Sequence, residues 1–305
     1  MLAIFLKTLP FFGLIGLGWF AGRTRFFPAE ATAWLTKFVF YFALSAMLFR
    51  FTATLELSEL FDLRFALAYL AGSGLIWLLG FGVARMRRLP LAEAALEAHT
   101  GMTGTPGFLG VPMLVVLLGP QAVGPVLMVL AIDMIVFSSL ITVLITAARH
   151  GRVALAPLAL GLVKNPMIVS MGAGLIWAAL HLPMPAPLQE FVTLLGAAAR
   201  PGALFAIGAS LAGRSAERLG PALWLSAAKL FLHPLAVGIA ALMVFGVEPY
   251  AAGVMIAAAA LPVAGNVYIL AAHYGVAPQR VSAAILISTA ASILTIPAVI
   301  AWVTG

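Results

Sequence analysis

Runs of apolar residues long enough to cross a lipid bilayer recur along the whole chain, separated by short polar stretches. They predict ten membrane spans, with approximate bounds 2–21, 31–50, 64–84, 91–118, 121–147, 164–181, 187–211, 221–246, 249–275 and 278–303. The composition, 63% hydrophobic and 9% charged, supports this division. It excludes an ordinary soluble domain.

Two of these spans contain more helix-breaking residues than a continuous helix tolerates. The fourth reads TGMTGTPGFLGVPMLVVLLG over residues 100–119, and the ninth reads AALPVAGNVYILAAHYG over residues 259–275. An interruption in hydrocarbon leaves backbone groups without partners unless protein or a watery cavity surrounds it. Paired interruptions in corresponding spans of two halves are typical of a transporter's binding site. The simpler alternative is that proline and glycine only kink two helices.

Basic residues set the predicted orientation, because they collect in the loops that follow the odd-numbered spans. They are Arg23, Arg25, Arg85, Arg87, Arg88, Arg149, Arg152, Lys164, Arg214, Arg218 and Arg280. By the positive-inside rule these loops are cytoplasmic and both termini are extracytoplasmic. The net charge of +7 belongs to these loops, so we expect a lipid bilayer and no nucleic acid as partner.

An internal repeat explains how five spans in each half can fit together, because an odd number of crossings inverts the second half. Identical residues recur 156 positions apart in three corresponding spans. They are Pro10 and Pro166, Gly16 and Gly172, Gly18 and Gly174, Leu48-Phe49 and Leu204-Phe205, and Pro106 and Pro262. The sequence predicts one all-α membrane domain over residues 1–305, made of two inverted five-helix repeats, 1–150 and 151–305.

The interruptions supply the candidate binding groups. A half-helix that begins at mid-membrane presents free backbone N–H groups and the positive end of the helix dipole, and both attract an anion. Threonine and asparagine side chains beside the breaks add neutral hydrogen-bond partners. The predicted substrate-binding residues are Thr103, Thr105, Pro106, Gly107, Lys229, Pro262, Gly265 and Asn266.

Charged residues inside spans are costly and usually face a cavity or a partner. Lys7 and Lys37 lie near span ends, where snorkelling to the interface accounts for them. Lys229 is the preferred counter-charge for an anionic substrate, and Arg200 is either a second counter-charge or half of a structural ion pair. Asp133 is the one acid deep inside a span of the sequence. It binds a coupling proton or sodium ion, or it neutralises Lys229 or Arg200.

Other chemistry has less support in the residues. The histidines lack metal-site spacing and the chain has no cysteine, so neither a metal site nor a cofactor is predicted. His99 and His233 either tune proton coupling or are hydrogen-bonded polar residues of their helices. Glu93 and Glu97 lie one turn apart near the cytoplasmic start of the fourth span. They predict a solvated face, with gating of a vestibule as the alternative.

Five short motifs are distinctive in combination. They are GFLGVP at 107–112, KNP at 164–166, PGALFAIGASLAG at 201–213, KLFLHP at 229–234 and LPVAGNVYILAAHYGV at 261–276. Through them the chain resembles, over its full length, the auxin efflux carrier family, the bacterial relatives of plant auxin carriers and of malonate permeases. The resemblance implies a ten-helix fold like that of sodium/proton antiporters and bile-acid symporters. One departure is Thr105, where many relatives have asparagine.

The resemblance also implies a scaffold of spans 1, 2, 6 and 7 and a mobile transport unit of spans 3–5 and 8–10. Spans four and nine would cross beside the substrate carboxylate, and the protein would form a homodimer through the scaffold. We therefore expect a secondary transporter, not an enzyme, that exports a small organic anion such as an auxin-like or dicarboxylic acid by alternating access. The membrane would be the cytoplasmic one.

Three alternatives to this expectation stay open on the residues alone. One is a sodium- or proton-coupled symporter or antiporter of the same fold. The second is an intramembrane enzyme, which needs paired acids, a serine–lysine or serine–histidine couple, or metal ligands within spans. The third is a sensor of this fold that binds a ligand without moving it.

Overall fold

The computed structural model describes residues 2–54, 62–150, 160, 164–213 and 219–304, which are almost entirely helical and contain no β-strand. The first six helices are α1 Leu2–Arg23, α2 Ala29–Ala53, α3 Leu63–Met86, α4 Leu91–Thr100, α5 Pro106–Leu118 and α6 Pro120–Ala148. The next six are α7 Pro166–Ala179, α8 Ala186–Leu211, α9 Leu219–Val244, α10 Pro249–Ala259, α11 Gly265–Tyr274 and α12 Pro278–Thr304. The predicted boundary between the halves and the loop residues Arg152, Arg214 and Arg218 lie outside the described residues.

Seven helices in the described part of the chain are long and apolar enough to cross a membrane: α1, α2, α3, α6, α8, α9 and α12. Helices α5, α7 and α10 are equally apolar but shorter. Large apolar side chains, among them Trp34, Phe42 and Leu194, cover the outer surface, which suits contact with lipid. The chain is an all-helical integral membrane protein, and the count of ten spans stays a prediction.

Side-chain caps fix where several helices begin. Asn165 accepts a hydrogen bond from the N–H of Met167, and Pro166 occupies the first turn of α7, where its missing N–H costs nothing. The KNP motif is therefore a helix start. Glu248 accepts from the first N–H groups of α10, and Asp62 caps α3 in the same way.

Helices α1, α2, α7 and α8 pack against one another through small residues. Helix α1 lies along α8, and α2 lies along both α7 and α8. A Cβ atom added to Gly18 would overlap the carbonyl oxygen of Phe205, and one added to Gly174 would overlap the carbonyl oxygen of Phe49. The helix backbones thus approach as closely as glycine permits, which is a common way for helices to associate in lipid.

The other helices form a second group around the two interrupted segments. Helix α9 contacts α3, α10 and α12, and α6 contacts α4, α5 and α10. The two groups meet where α1 contacts α5 and α12, and where α8 contacts the beginning of α5. Consequently the interrupted segments lie inside the second group, with one face of α5 turned towards the first.

The glycine contacts lead to a stability prediction with controls built into the sequence. Replacing Gly18 or Gly174 by alanine should lower the free energy of unfolding by about 1–3 kcal/mol, because the added methyl group forces two backbones apart. The unfolding midpoint of the purified protein in detergent measures this.

Gly16→Ala and Gly172→Ala are matched controls, since an added Cβ meets nothing within 4 Å there. They should be neutral or stabilising by up to about 1 kcal/mol, because alanine is the better helix former. A similar loss of stability in all four variants would contradict the close-packing role.

Candidate functional site

The first interruption separates α4 from α5. Helix α4 ends at Thr100 with Gly101 as its cap, and residues 102–105 are not helical. Pro106 then begins α5, whose first five residues form a wide π-helical turn. Because proline lacks an N–H and disfavours a helical residue before it, the helix cannot continue through Thr105.

The second interruption separates α10 from α11. Helix α10 ends at Ala259, and the chain resumes a helix at Gly265 after a stretch containing Pro262. The positions of both breaks are those predicted from glycine and proline. The alternative that these residues only kink two helices is wrong, because each break contains several non-helical residues.

The two interruptions contact each other through their backbones. Gly104 and Val263 form an isolated antiparallel bridge, and the N–H of Ala264 donates to the carbonyl oxygen of Thr103 at 3.1 Å. The N–H of Val263 donates to Ser288 Oγ on α12 at 3.1 Å. Backbone groups left unpaired by one break therefore find hydrogen-bond partners in the other break or in a neighbouring helix. Such partners are needed because the hydrocarbon core of a bilayer offers no water to bind these groups.

Two half-helices begin at this contact. The first N–H groups of a helix have no acceptor within it, which applies to Gly107 and Phe108 in α5 and to Gly265 and Asn266 in α11. Both helix starts also carry the positive end of a helix dipole. This arrangement favours an anion over a cation.

The polar side chains beside the breaks have different surroundings. Thr103 is buried, and its hydroxyl lies 3.1 Å from His99 Nδ1. Thr105 is buried too, but Thr105 Oγ1 has no hydrogen-bond partner among the described residues. Asn266 is exposed, while Pro262 is buried and Gly265 is half-buried. Thr105 and Asn266 are therefore the side chains at the breaks that retain free hydrogen-bonding capacity towards a ligand.

Lys229 lies against both interruptions. Its side chain is fully buried, and Nζ donates to the carbonyl oxygen of Ala259, the last residue of α10. A Cβ atom on Gly104 would lie 3.1 Å from Lys229 Cε and 3.2 Å from Nζ, so a larger residue there would force the end of the lysine to shift by a few tenths of an ångström. The lysine thus neutralises the negative end of one half-helix and places a positive charge directly behind the other break.

His233 extends this contact towards α3. Lys229 Nζ lies 2.9 Å from His233 Nδ1, and His233 Nε2 lies 2.8 Å from Ser73 Oγ. An ammonium group can only donate, so Nδ1 accepts and the Nε2–H donates to the serine when Lys229 is charged. His233 is therefore a hydrogen-bonded neutral residue in this arrangement, and His99 is hydrogen-bonded to Thr103.

Asp133 lies near this chain of hydrogen bonds without joining it. Tyr69 donates its hydroxyl to Asp133 Oδ1 at 2.9 Å, while Asp133 Oδ2 has no partner among the described residues. The charges of Asp133 and Lys229 are close enough to attract each other, yet no salt bridge joins them in the described part of the chain. Arg200 is exposed and forms no ion pair with any described residue.

Comparison with known proteins identifies the family. The family model described as "Membrane transport protein" matches residues 3–300. The chain belongs to this family of transporters. It is the auxin efflux carrier family that the five motifs predicted, so that prediction is confirmed. Because family members are transporters, the alternative of an intramembrane enzyme is excluded.

Two similar proteins extend over nearly the whole transporter. A "Putative malonate transporter" of Rhizobium meliloti (strain 1021) is 33% identical over 295 residues, which cover 95% of this chain and 92% of the relative. The "Uncharacterized transporter YfdV" of Escherichia coli (strain K12) is 26% identical over 306 residues, covering 97% of each chain. Both similarities include the two interruptions and the segment around Lys229.

Three polar residues of the transporter's interior were missed from the sequence. Tyr69 and Ser73 lie one turn apart in α3, which places both on the face that meets Asp133 and His233. Ser288 in α12 holds the second interruption. The available signal was the spacing of two polar residues four apart within an apolar span.

The prediction of a solvated face at Glu93 and Glu97 is wrong for Glu97. That residue is 2% exposed and accepts hydrogen bonds from Arg280 at 2.6 Å and from Arg87 at 2.9 Å. Glu93 also pairs with Arg280, at 3.2 Å. The paired arginines come from outside α4, so the acids hold α4 to α12 and to the end of α3. Within the described residues no group of three His, Asp or Glu side chains suits a metal ion.

This ion cluster predicts unequal effects for its two arginines. Arg280→Ala should lower the free energy of unfolding by roughly 3 kcal/mol or more, because the buried Glu97 loses its most enclosed partner. Arg87 is 36% exposed, so Arg87→Ala should cost about 1 kcal/mol or less. Unfolding midpoints in detergent test the order, and equal midpoints for the two variants would contradict it.

Proposed function

We propose that this transporter carries a small organic anion, a carboxylate, across the cytoplasmic membrane by alternating access. The observation that carries the proposal is the meeting of two broken helices with Lys229 behind them. Two sets of free N–H groups, two positive dipole ends and one buried ammonium group converge there. Such a site attracts negative charge strongly in a medium of low dielectric constant.

The polar side chains at the breaks favour a carboxylate as the substrate. Thr105 Oγ1 and the amide of Asn266 are hydrogen-bond donors without a partner among the described residues, and each suits one carboxylate oxygen. The relative named as a malonate transporter supports a dicarboxylate, and an auxin-like monocarboxylate is the other candidate. We take malonate as the first substrate to test.

The movement would occur between the two groups of helices. We infer that α1, α2, α7 and α8 are the scaffold and that the remaining helices are the transport unit, which slides against it. Reciprocal contacts support an inverted repeat, since Gly18 meets Phe205 while Gly174 meets Phe49, each pair member being 156 positions from its counterpart. Two related halves can exchange conformations and so open the site to either side in turn.

Orientation and direction follow from charge. The basic loops after the odd-numbered spans support an orientation with both termini outside the cytoplasm. An inside-negative potential favours outward movement of an anion by about 2.3 kcal/mol per charge per 100 mV, so we propose export. The exposed aromatic face of α2, including Trp34 and Phe42, is compatible with a homodimer formed through the scaffold.

One observation favours a coupled mechanism as a second candidate. Asp133 is buried, and one of its oxygens has no partner in the described part of the chain, which suits an acid that gains and loses a proton. A sodium site would need several oxygen ligands around the ion, and Asp133 is a single carboxylate beside Lys229. Malonate transport in proteoliposomes with and without sodium distinguishes sodium coupling from the other mechanisms.

Loss of the free polar groups at the breaks should slow transport. Thr105→Val and Asn266→Ala should each lower malonate transport in proteoliposomes about tenfold or more, because a hydrogen bond to a charged group contributes about 1.5–3 kcal/mol. Thr105→Ser keeps the hydroxyl and should retain most activity. Thr24→Val, at the end of α1, is the control for a threonine away from the breaks. Wild-type rates in both break variants would remove the substrate from this site.

The charge of the buried Lys229 should raise the affinity for malonate even without direct contact between the two. Lys229→Met keeps the length of the side chain but removes its charge, whose attraction for an anion several ångströms away is on the order of 2 kcal/mol at an effective dielectric constant of about 20. Malonate affinity should therefore fall about tenfold or more. Lys37→Met removes an exposed lysine that lies over Trp34 and should leave affinity unchanged. Equal affinities for the two variants would exclude Lys229 from the anion site.

A further inference from the structure

Two buried side chains of opposite charge lie close together, and no salt bridge joins them in the described part of the chain. Lys229 contacts both interruptions, and Asp133 is linked to it through Tyr69, whose ring centroid lies 6.0 Å from that of His233. Among the described residues Lys229 donates to neutral acceptors, His233 and the Ala259 carbonyl. Asp133 accepts only from Tyr69, and its second oxygen has no partner among the described residues. Both side chains lie in wide π-helical turns, Asp133–Phe137 and Ala228–Leu232, which are frequent at functional sites.

The charge balance changes when an anion arrives. Without a substrate, one negative and one positive side chain leave the buried region neutral. A bound carboxylate adds a negative charge, so that it and Asp133 would share the single positive charge of Lys229. An uncompensated buried charge is expensive, and two anions near one cation repel each other. Adding a proton to Asp133 removes one negative charge, which restores the balance for a monocarboxylate and leaves one excess negative charge for a dicarboxylate such as malonate.

We propose that binding of the substrate anion is linked to protonation of Asp133, so that one proton accompanies each anion through the transport cycle. The inference rests on the proposed function, because it takes the contact of the two interruptions as the anion site. The proton comes from water on the side to which the site is open. It forms an O–H bond at Asp133 Oδ2 and leaves to water on the opposite side, together with the anion.

The groups that face Asp133 favour this assignment. Tyr69 on α3 donates to Oδ1 and packs beside His233 on α9, with ring centroids 6.0 Å apart, and His233 contacts Lys229 on the same helix. Of the other helices that contact α6, α5 has no titratable side chain, α10 has Tyr250 in its first turn, and α4 carries Glu93, Glu97 and His99. A proton added to His233 at Nδ1 would remove the acceptor of Lys229 and place two cations together. Protonation at Asp133 disturbs neither the lysine nor its hydrogen bonds.

His99 is the competing proton acceptor. It is buried beside Thr103 at the first interruption, and its protonation would also favour an anion. The two residues make different predictions, since only one of them can account for the linked proton. A comparison of variants at both positions therefore decides the assignment.

Calorimetric titration of the purified transporter with malonate measures the linked proton. The observed binding enthalpy is recorded at neutral pH in two buffers of different ionisation enthalpy, and the slope gives the number of protons taken up. We expect about one proton per malonate for the wild type and none for Asp133→Asn, which should bind malonate at least as tightly. Tyr69→Phe and His99→Asn should keep the uptake. The linkage also predicts that the affinity of the wild type for malonate falls about tenfold for each unit by which the pH is raised above neutral. This measurement uses the wild type alone.

The outcomes distinguish failure of the proton linkage from failure of the proposed anion transport. Malonate binding without proton uptake and with affinity independent of pH would overturn the linkage and leave the anion carrier standing. Uptake that persists in Asp133→Asn, or disappears in His99→Asn, would overturn the assignment to Asp133. No binding of malonate or of indole-3-acetate to the wild type would instead overturn the proposed function.

Discussion

The lack of water in a bilayer controls this structure, because each unpartnered backbone group there costs several kcal/mol. The transporter nevertheless breaks two helices inside its core. The breaks persist because each supplies partners for the other: Thr103 accepts from Ala264, and Gly104 pairs with Val263. Ser288 holds a further N–H group. Neither interruption would be stable alone, so the geometry of the binding region depends on contacts between the two halves of the chain.

Lys229 serves both the backbone of the breaks and the electrostatics of the region. Its ammonium group satisfies the Ala259 carbonyl at the negative end of α10, and the same charge lies against Gly104 in the other break. In the proposed anion site, the residue that stabilises the interruption would therefore also attract the substrate. The absence of a side chain at Gly104 lets the end of Lys229 approach this break closely.

The sequence predicts the parts of this site that depend on local chemistry. Glycine and proline determine where the helices stop. A lysine or aspartate within an apolar span is rare and can therefore be recognised from the sequence as a candidate functional residue. Partners could not be predicted, because Asp133 meets Tyr69 from 64 positions away and His233 meets Ser73 from 160. The prediction for Glu97 was wrong for the same reason. Its position near a span end suggests water, but Arg280, 183 positions away, buries and pairs it.

The proposed repeat is symmetric in its packing and asymmetric in its charges. Gly18 and Gly174 make equivalent close contacts, whereas the position corresponding to Lys229 in the first half is Ser73. Both residues reach His233, one from each side of its ring. Equivalent packing allows two conformations of similar free energy, which alternating access needs. Because the buried lysine lies in one half and a serine in the other, the proposed framework would hold a single anion site rather than two, so the asymmetry of a few buried residues would decide what it carries.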